Sequence, residues 1–170
     1  MKKKPFCLII LLFMMYSIFS IGEKNIIGFW KSIDDTKGFT TSIIVTYLYQ
    51  DMLYGRVIVS FDEETGNYIE CYQSPSKIAY KVDKNPLLLD IDIFFDLTFD
   101  GEKYIGGYVI DPRSGKTYHA EVWTTKDGLI IRGKFGPFGM KNLFLSASEK
   151  DFPSNVEIPN ISIFSPYIPR

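Results

Sequence analysis

Between Asp90 and Phe99 the chain reads DIDIFFDLTF, so that Ile91, Ile93, Phe95, Leu97 and Phe99 alternate with Asp90, Asp92, Phe94, Asp96 and Thr98. That period of two is what a strand with one buried and one wet face requires, whereas a helix would scatter the five apolar residues around its circumference. From Ile43 the same rule places Ile43, Val45, Tyr47 and Tyr49 on one face. Turn signals separate such runs: Asp34 to Gly38, Gln50-Asp51, Glu64 to Asn67, Lys84 to Pro86, Asp100-Gly101, Pro112 to Gly115 and Lys126 to Gly128. Short strands with tight turns at this spacing predict roughly ten strands, near 26–32, 39–49, 52–60, 67–73, 77–82, 87–99, 103–111, 117–124, 128–135 and 140–147. The expected fold is all-β, an antiparallel up-and-down barrel of about 8–10 strands, because closure leaves no unpaired edge. The stretch 61–86 is the least periodic and reads as a short helix or lid.

The chain divides into three. Residues 1–22 open with three lysines before the apolar run PFCLIILLFMMYSIF and the small residues Ser20-Ile21-Gly22, the layout of a secretory signal peptide. The competing reading is an uncleaved membrane anchor, since the run is only slightly short for a span. Cleavage leaves no stable membrane span and implies a periplasmic or secreted protein. Residues 23–148 form the barrel domain. Residues 149–170 form an arm with four prolines in the last eighteen positions, too broken for a central strand. Its Val156, Ile158, Ile161, Ile163, Phe164 and Tyr167 make it too apolar for a solvated tail. The arm is expected to pack on the barrel or on another molecule, a partner or a second copy.

Loss of three lysines from 19 Lys plus Arg leaves 16 against 20 Asp plus Glu, a net charge of −4. That balance gives no electrostatic case for binding nucleic acid. Cys71 then stands alone, so no internal disulfide forms, and it reads as a small buried hydrophobe.

The letters SGKT at Ser114 to Thr117 invite a phosphate-loop reading. Such a loop needs a glycine where this chain has Ile110, and it must open a helix, whereas Thr117 to Trp123 continue as a strand. Pro112, Asp111 and Gly115 suit a hairpin turn instead. Asp90, Asp92 and Asp96 read as a solvated face, and His119 has no partner set for zinc or for nucleophilic catalysis. No catalytic residue, metal site or cofactor is therefore expected, and the chain is not read as an enzyme. Gly28-Phe29-Trp30 resembles the first-strand motif of lipocalins, in which the indole plugs one barrel end beneath a basic side chain; Arg56 or Arg132 would supply it. Both arginines interrupt apolar strands and need a partner, for which Asp111 is the candidate.

The segments GFWKSIDDTKG, SIIVTYLYQDMLYGRVI, KNP, GGYVIDPRSGKTYHAEV and LIIRGKFG, in that order, resemble the domain of unknown function 2147 family of small exported bacterial proteins from about Gly28 to Phe144. Gly106-Gly107, Asp111-Pro112, Gly115-Lys116 and Tyr118 carry the most specific part. The resemblance implies an exported, lipocalin-like β-barrel and no particular activity. Where that family commonly has two cysteines in its middle loop, this chain has Cys71 only. The tryptophan usual near the final strand is replaced within Asn142 to Leu145, and the proline-rich arm is extra.

Two functions follow as expectations. One is binding of a small apolar or amphipathic ligand in the barrel, with Trp30, Tyr54, Arg56, Asp111, Tyr118 and Arg132 lining or guarding the space. The other is a non-enzymatic envelope module that docks a partner through its aromatic surface and residues 151–170.

Overall fold

The computed structural model describes residues 26–168; the expected signal peptide and its cleavage point lie outside them. Ten strands form one antiparallel sheet: β1 (Gly28–Ile33), β2 (Thr40–Tyr49), β3 (Met52–Phe61), β4 (Tyr68–Cys71), β5 (Asp92–Phe99), β6 (Tyr104–Ile105), β7 (Tyr108–Asp111), β8 (Lys116–Thr125), β9 (Gly128–Phe135) and β10 (Phe138–Ser146). Each long strand pairs with its chain neighbour. β10 returns to β1, and β3 pairs with β5, so the hydrogen-bonded ring closes and leaves those strands no free edge. β6 and β7 share one place between β5 and β8. The split falls at Gly106-Gly107, where Gly106 has φ +82° and a Cβ on Gly107 would lie 2.1 Å from the Phe95 carbonyl oxygen. Only glycine permits that approach. The strand expected over 103–111 is thus two.

The edge of β3 is also shared. β5 pairs with Leu53 to Arg56, and β4 with Val59 to Phe61. Beyond β4 the expected strand at 77–82 is absent; the segment 72–91 is irregular, with one bridge between Ile78 and Leu87. The buried Glu70 carboxylate organises it by accepting from the Ser76 and Lys77 amides at 2.6 and 2.9 Å.

Two apolar clusters lie on opposite sides of the sheet. Inside the ring, Trp30, Ile44, Leu53, Phe94, Leu97, Tyr104, Val122 and Leu129 fill one end. Outside it, Ile43, Val45, Tyr47, Tyr54, Ile58 and Val59 are covered by the C-terminal arm through Phe152, Val156, Phe164 and Ile168. Both faces of β2 are therefore buried, not one. Among the described residues, this arm contains two short 3-10 turns, at Glu149–Asp151 and Ile161–Ile163.

The alternation through β5 also fails in two places. Asp96 sits at φ +59°, and the pairings Leu53↔Leu97, Gly55↔Phe94 and Arg56↔Asp92 shift register twice. A bulge re-aims the residues that follow it. Phe94 and Leu97 thus point inward, while Ile91 and Phe95 join the outer cluster.

Candidate functional site

The inner cluster fills only one end of the barrel. There the Trp30 indole N–H donates to the Ile26 carbonyl and to Thr46 Oγ1, each at 3.1 Å, and the Phe99 and Tyr104 rings meet at 5.1 Å. Toward the other end the interior opens into a cavity of about 2180 Å³. Its volume exceeds the roughly 300–1000 Å³ of an enclosed ligand pocket because the mouth is open to solvent.

The cavity floor is apolar, made by Val57, Ile93, Val109, Ile131 and Phe144. One wall is polar. The register pairs Ser32 with Ser42 and Ser42 with Ser60, which sets three hydroxyl-bearing residues in a row across β1, β2 and β3. At the mouth stand Asp111, Lys116 and Tyr118, with Phe135, Phe138 and Met140 from the β9–β10 hairpin. The Tyr118 and Phe135 rings meet edge to face at 6.4 Å. The site thus offers an apolar base, a hydroxyl strip and an aromatic lip.

The six residues singled out in the sequence separate into two groups. Trp30 plugs the closed end, and Asp111 and Tyr118 line the cavity. Tyr54, Arg56 and Arg132 occupy outward-facing strand positions, one step out of phase with the inner Leu53, Val57 and Ile131. Nor does Asp111 pair with either arginine. Its side chain accepts from the Arg113 amide at 3.0 Å and from the Ser114 hydroxyl at 2.6 Å, closing the β7–β8 turn. Gly115 there has φ +71°, so SGKT is the tip of a hairpin.

Arg56 instead forks onto Asp92, with Nε and an Nη at 3.2 and 3.1 Å from the two carboxylate oxygens. Asp92 is 0% exposed and also accepts from the Tyr47 hydroxyl at 2.7 Å and the Tyr167 amide at 2.7 Å. It is a buried ion-pair residue, not part of a solvated row. Burial pushes its carboxyl above the ordinary value, and the Arg56 charge offsets part of that rise. Arg56 also donates to the Ser165 carbonyl at 2.7 Å and lies 5.8 Å over the Phe164 ring, so it pins the arm. Burial likewise raises the Tyr54 phenol, whose hydroxyl donates to Asp96 at 2.8 Å.

Arg132 reaches Glu121 at 3.3 Å on the outside of β8 and β9, where Lys103 (3.1 Å) and Lys134 join the same carboxylate. Burial opposes the Glu121 charge, but bonds from Lys134 and Lys103 outweigh it and hold the acid below its ordinary value. The cation stacking expected of Trp30 occurs on Trp123, with Lys103 and Lys141 at 6.0 and 5.6 Å from the ring. His119 stacks on Tyr108 at the rim, ring centroids 5.0 Å apart, where both residues line the outer edge of the cavity. Cys71 lies in the outer cluster, away from the cavity.

Sequence reasoning missed the serine row and the lip. The lip was legible as exposed apolar residues around Gly136-Pro137. The serines carried no signal until the pairing of three strands was known.

Among the described residues no helix is long and apolar enough to cross a membrane. No curated protein matches the chain in sequence. A solved structure titled "Protein HP1028 from the human pathogen Helicobacter pylori belongs to the lipocalin family" is similar in fold, with a TM-score of 0.57 and 18% identity over 75% of this chain and 86% of that one. The barrel is accordingly lipocalin-like. Residues 28–144 match the family described as "Uncharacterized protein conserved in bacteria (DUF2147)", and the chain belongs to that family.

Proposed function

We propose that the protein is a carrier or receptor for one small amphipathic molecule, held in the open end of the barrel and acting outside the cytoplasm. The observation that carries this reading is the cavity of about 2180 Å³, with an apolar floor and the row Ser32, Ser42 and Ser60 along one wall. An apolar body would lie against Val57, Val109, Ile131 and Phe144, and a polar end would reach the serine hydroxyls or the Tyr118 rim. The lipocalin-like fold supports the reading, since barrels of this size hold a single small ligand. Export rests on the layout of residues 1–22. Binding without catalysis is proposed because Cys71 lies in the outer cluster and His119, at the cavity's outer edge, is stacked on Tyr108.

Native mass spectrometry of the exported, processed chain tests the reading. Extra mass that disappears on denaturation is the expected result. Asn142 lines the cavity from β10 and is exposed, so Asn142→Trp should crowd the space beside Phe144, leave the melting temperature unchanged and weaken the adduct. An adduct held as tightly in Asn142→Trp as in the wild type would place the ligand away from this wall. A clean mass for the wild type, unchanged after incubation with a detergent or a fatty acid, would overturn the proposal.

A further inference from the structure

We propose that the β9–β10 hairpin docks the mouth of the barrel onto a lipid surface bearing anionic headgroups. The register Phe135↔Phe138 and Gly133↔Met140 puts Phe135, Phe138 and Met140 on one face of the hairpin, around the Gly136-Pro137 tip. They are 73, 75 and 76% exposed. A single exposed apolar side chain needs no explanation, but three large ones gathered on one projecting tip form a patch that water does not favour.

The opposite face of the same strands is cationic. Arg132 and Lys134 on β9 and Lys103 before β6 share the Glu121 carboxylate outside the barrel, and Lys141 on β10 stands over Trp123 on the same side. Trp123 lies between Lys103 and Lys141. Apolar side chains at a tip, with lysines and a tryptophan behind them, match the layering of a bilayer surface: acyl chains, then the interfacial zone, then anionic headgroups.

The rest of the molecule narrows the choice. The outside of β2 and β3 is covered by the C-terminal arm. Asp62, Glu63 and Glu64 sit on the β3–β4 turn and also line the mouth, so an anionic surface would be met on the β9–β10 side. Docked in this way, the cavity opens toward the bilayer; that consequence rests on the ligand-binding proposal, while the docking does not.

Co-sedimentation of the exported, processed chain with vesicles decides the matter, whatever mass spectrometry finds in the cavity. The wild type should bind phosphatidylcholine vesicles containing phosphatidylglycerol, and bind pure phosphatidylcholine about tenfold more weakly. Phe135→Ser/Phe138→Ser/Met140→Ser should fold normally and lose about tenfold or more in partitioning. Lys134→Gln/Lys141→Gln should lose the preference for the anionic lipid. Ile163 is 59% exposed on the arm, and Ile163→Ser should change nothing. No binding by the wild type, equal binding by the triple serine variant, or a dimer that buries the hairpin without binding vesicles would each overturn the proposal.

Discussion

Asp92 is the residue on which the outer half of the molecule turns. A carboxylate with no solvent exposure is tolerated only when its lone pairs are filled, and here Arg56, Tyr47 and the Tyr167 amide fill them. Arg56→Met leaves the buried charge without its counter-ion and should cost about 3–5 kcal/mol in urea denaturation. Arg56→Met/Asp92→Leu removes both charges. It leaves only neutral donors unpaired, each worth about 1–3 kcal/mol, and should be the more stable of the two variants. If the single variant were indistinguishable from wild type, the pair would have no structural weight. The sequence made half of this legible. An arginine inside an apolar strand must find an acid, but the acid was hidden in a row that looked like a wet face. The two register shifts of β5 against β3 separate appearance from structure, and no alternation pattern announces a bulge.

At the scale of elements, the C-terminal arm is part of the fold. Its prolines prevented it from being read as a strand, and its apolar residues marked it as packed; which surface it covers depended on the ring being closed first. Its own Phe152 and Val156 are buried against the barrel, and its Asp151 pairs with Lys31 on β1. Ending the chain at Ser148 should expose Phe29, Ile43, Val45 and Tyr47 and cost about 6–12 kcal/mol, taking about 1.5–3 kcal/mol for each large apolar side chain uncovered. Thermal melts measure this, and intact stability with a changed oligomeric state would favour an arm that docks a partner. The arm should also loosen in acid. Burial opposes the Asp151 charge, yet the Lys31 bond and the Ser148 amide outweigh it and keep this carboxyl below its ordinary value. A depressed carboxylate contributes stability that is present above its unfolded value and lost as pH falls through the folded one. Below pH 4, amide exchange at 149–156 should accelerate in the wild type, and Asp151→Asn should remove that pH dependence.

The molecule as a whole is a barrel with a solid end and an empty one, and this polarity is where function and stability divide. The meander order and the closure followed from short strands, tight turns and the need to remove edges, so they were legible early. Which end stays empty was not. It depends on where Trp30, Phe94 and Tyr104 meet inside, and the inward turn of Phe94 and Leu97 follows from irregular pairing with β3. Local opening is cheapest where few apolar contacts hold the backbone. Amides at Ile44, Leu53 and Leu129, whose side chains are fully buried at the solid end, should therefore exchange slowest with solvent deuterium. Those at 62–67, 112–115 and 135–138 ring the mouth and should exchange fastest. A ligand bound in the cavity should slow the mouth and leave the solid end unchanged, because that end is already packed. Uniform protection along the chain, or slowing confined to the arm, would overturn the proposal that the open end holds a ligand.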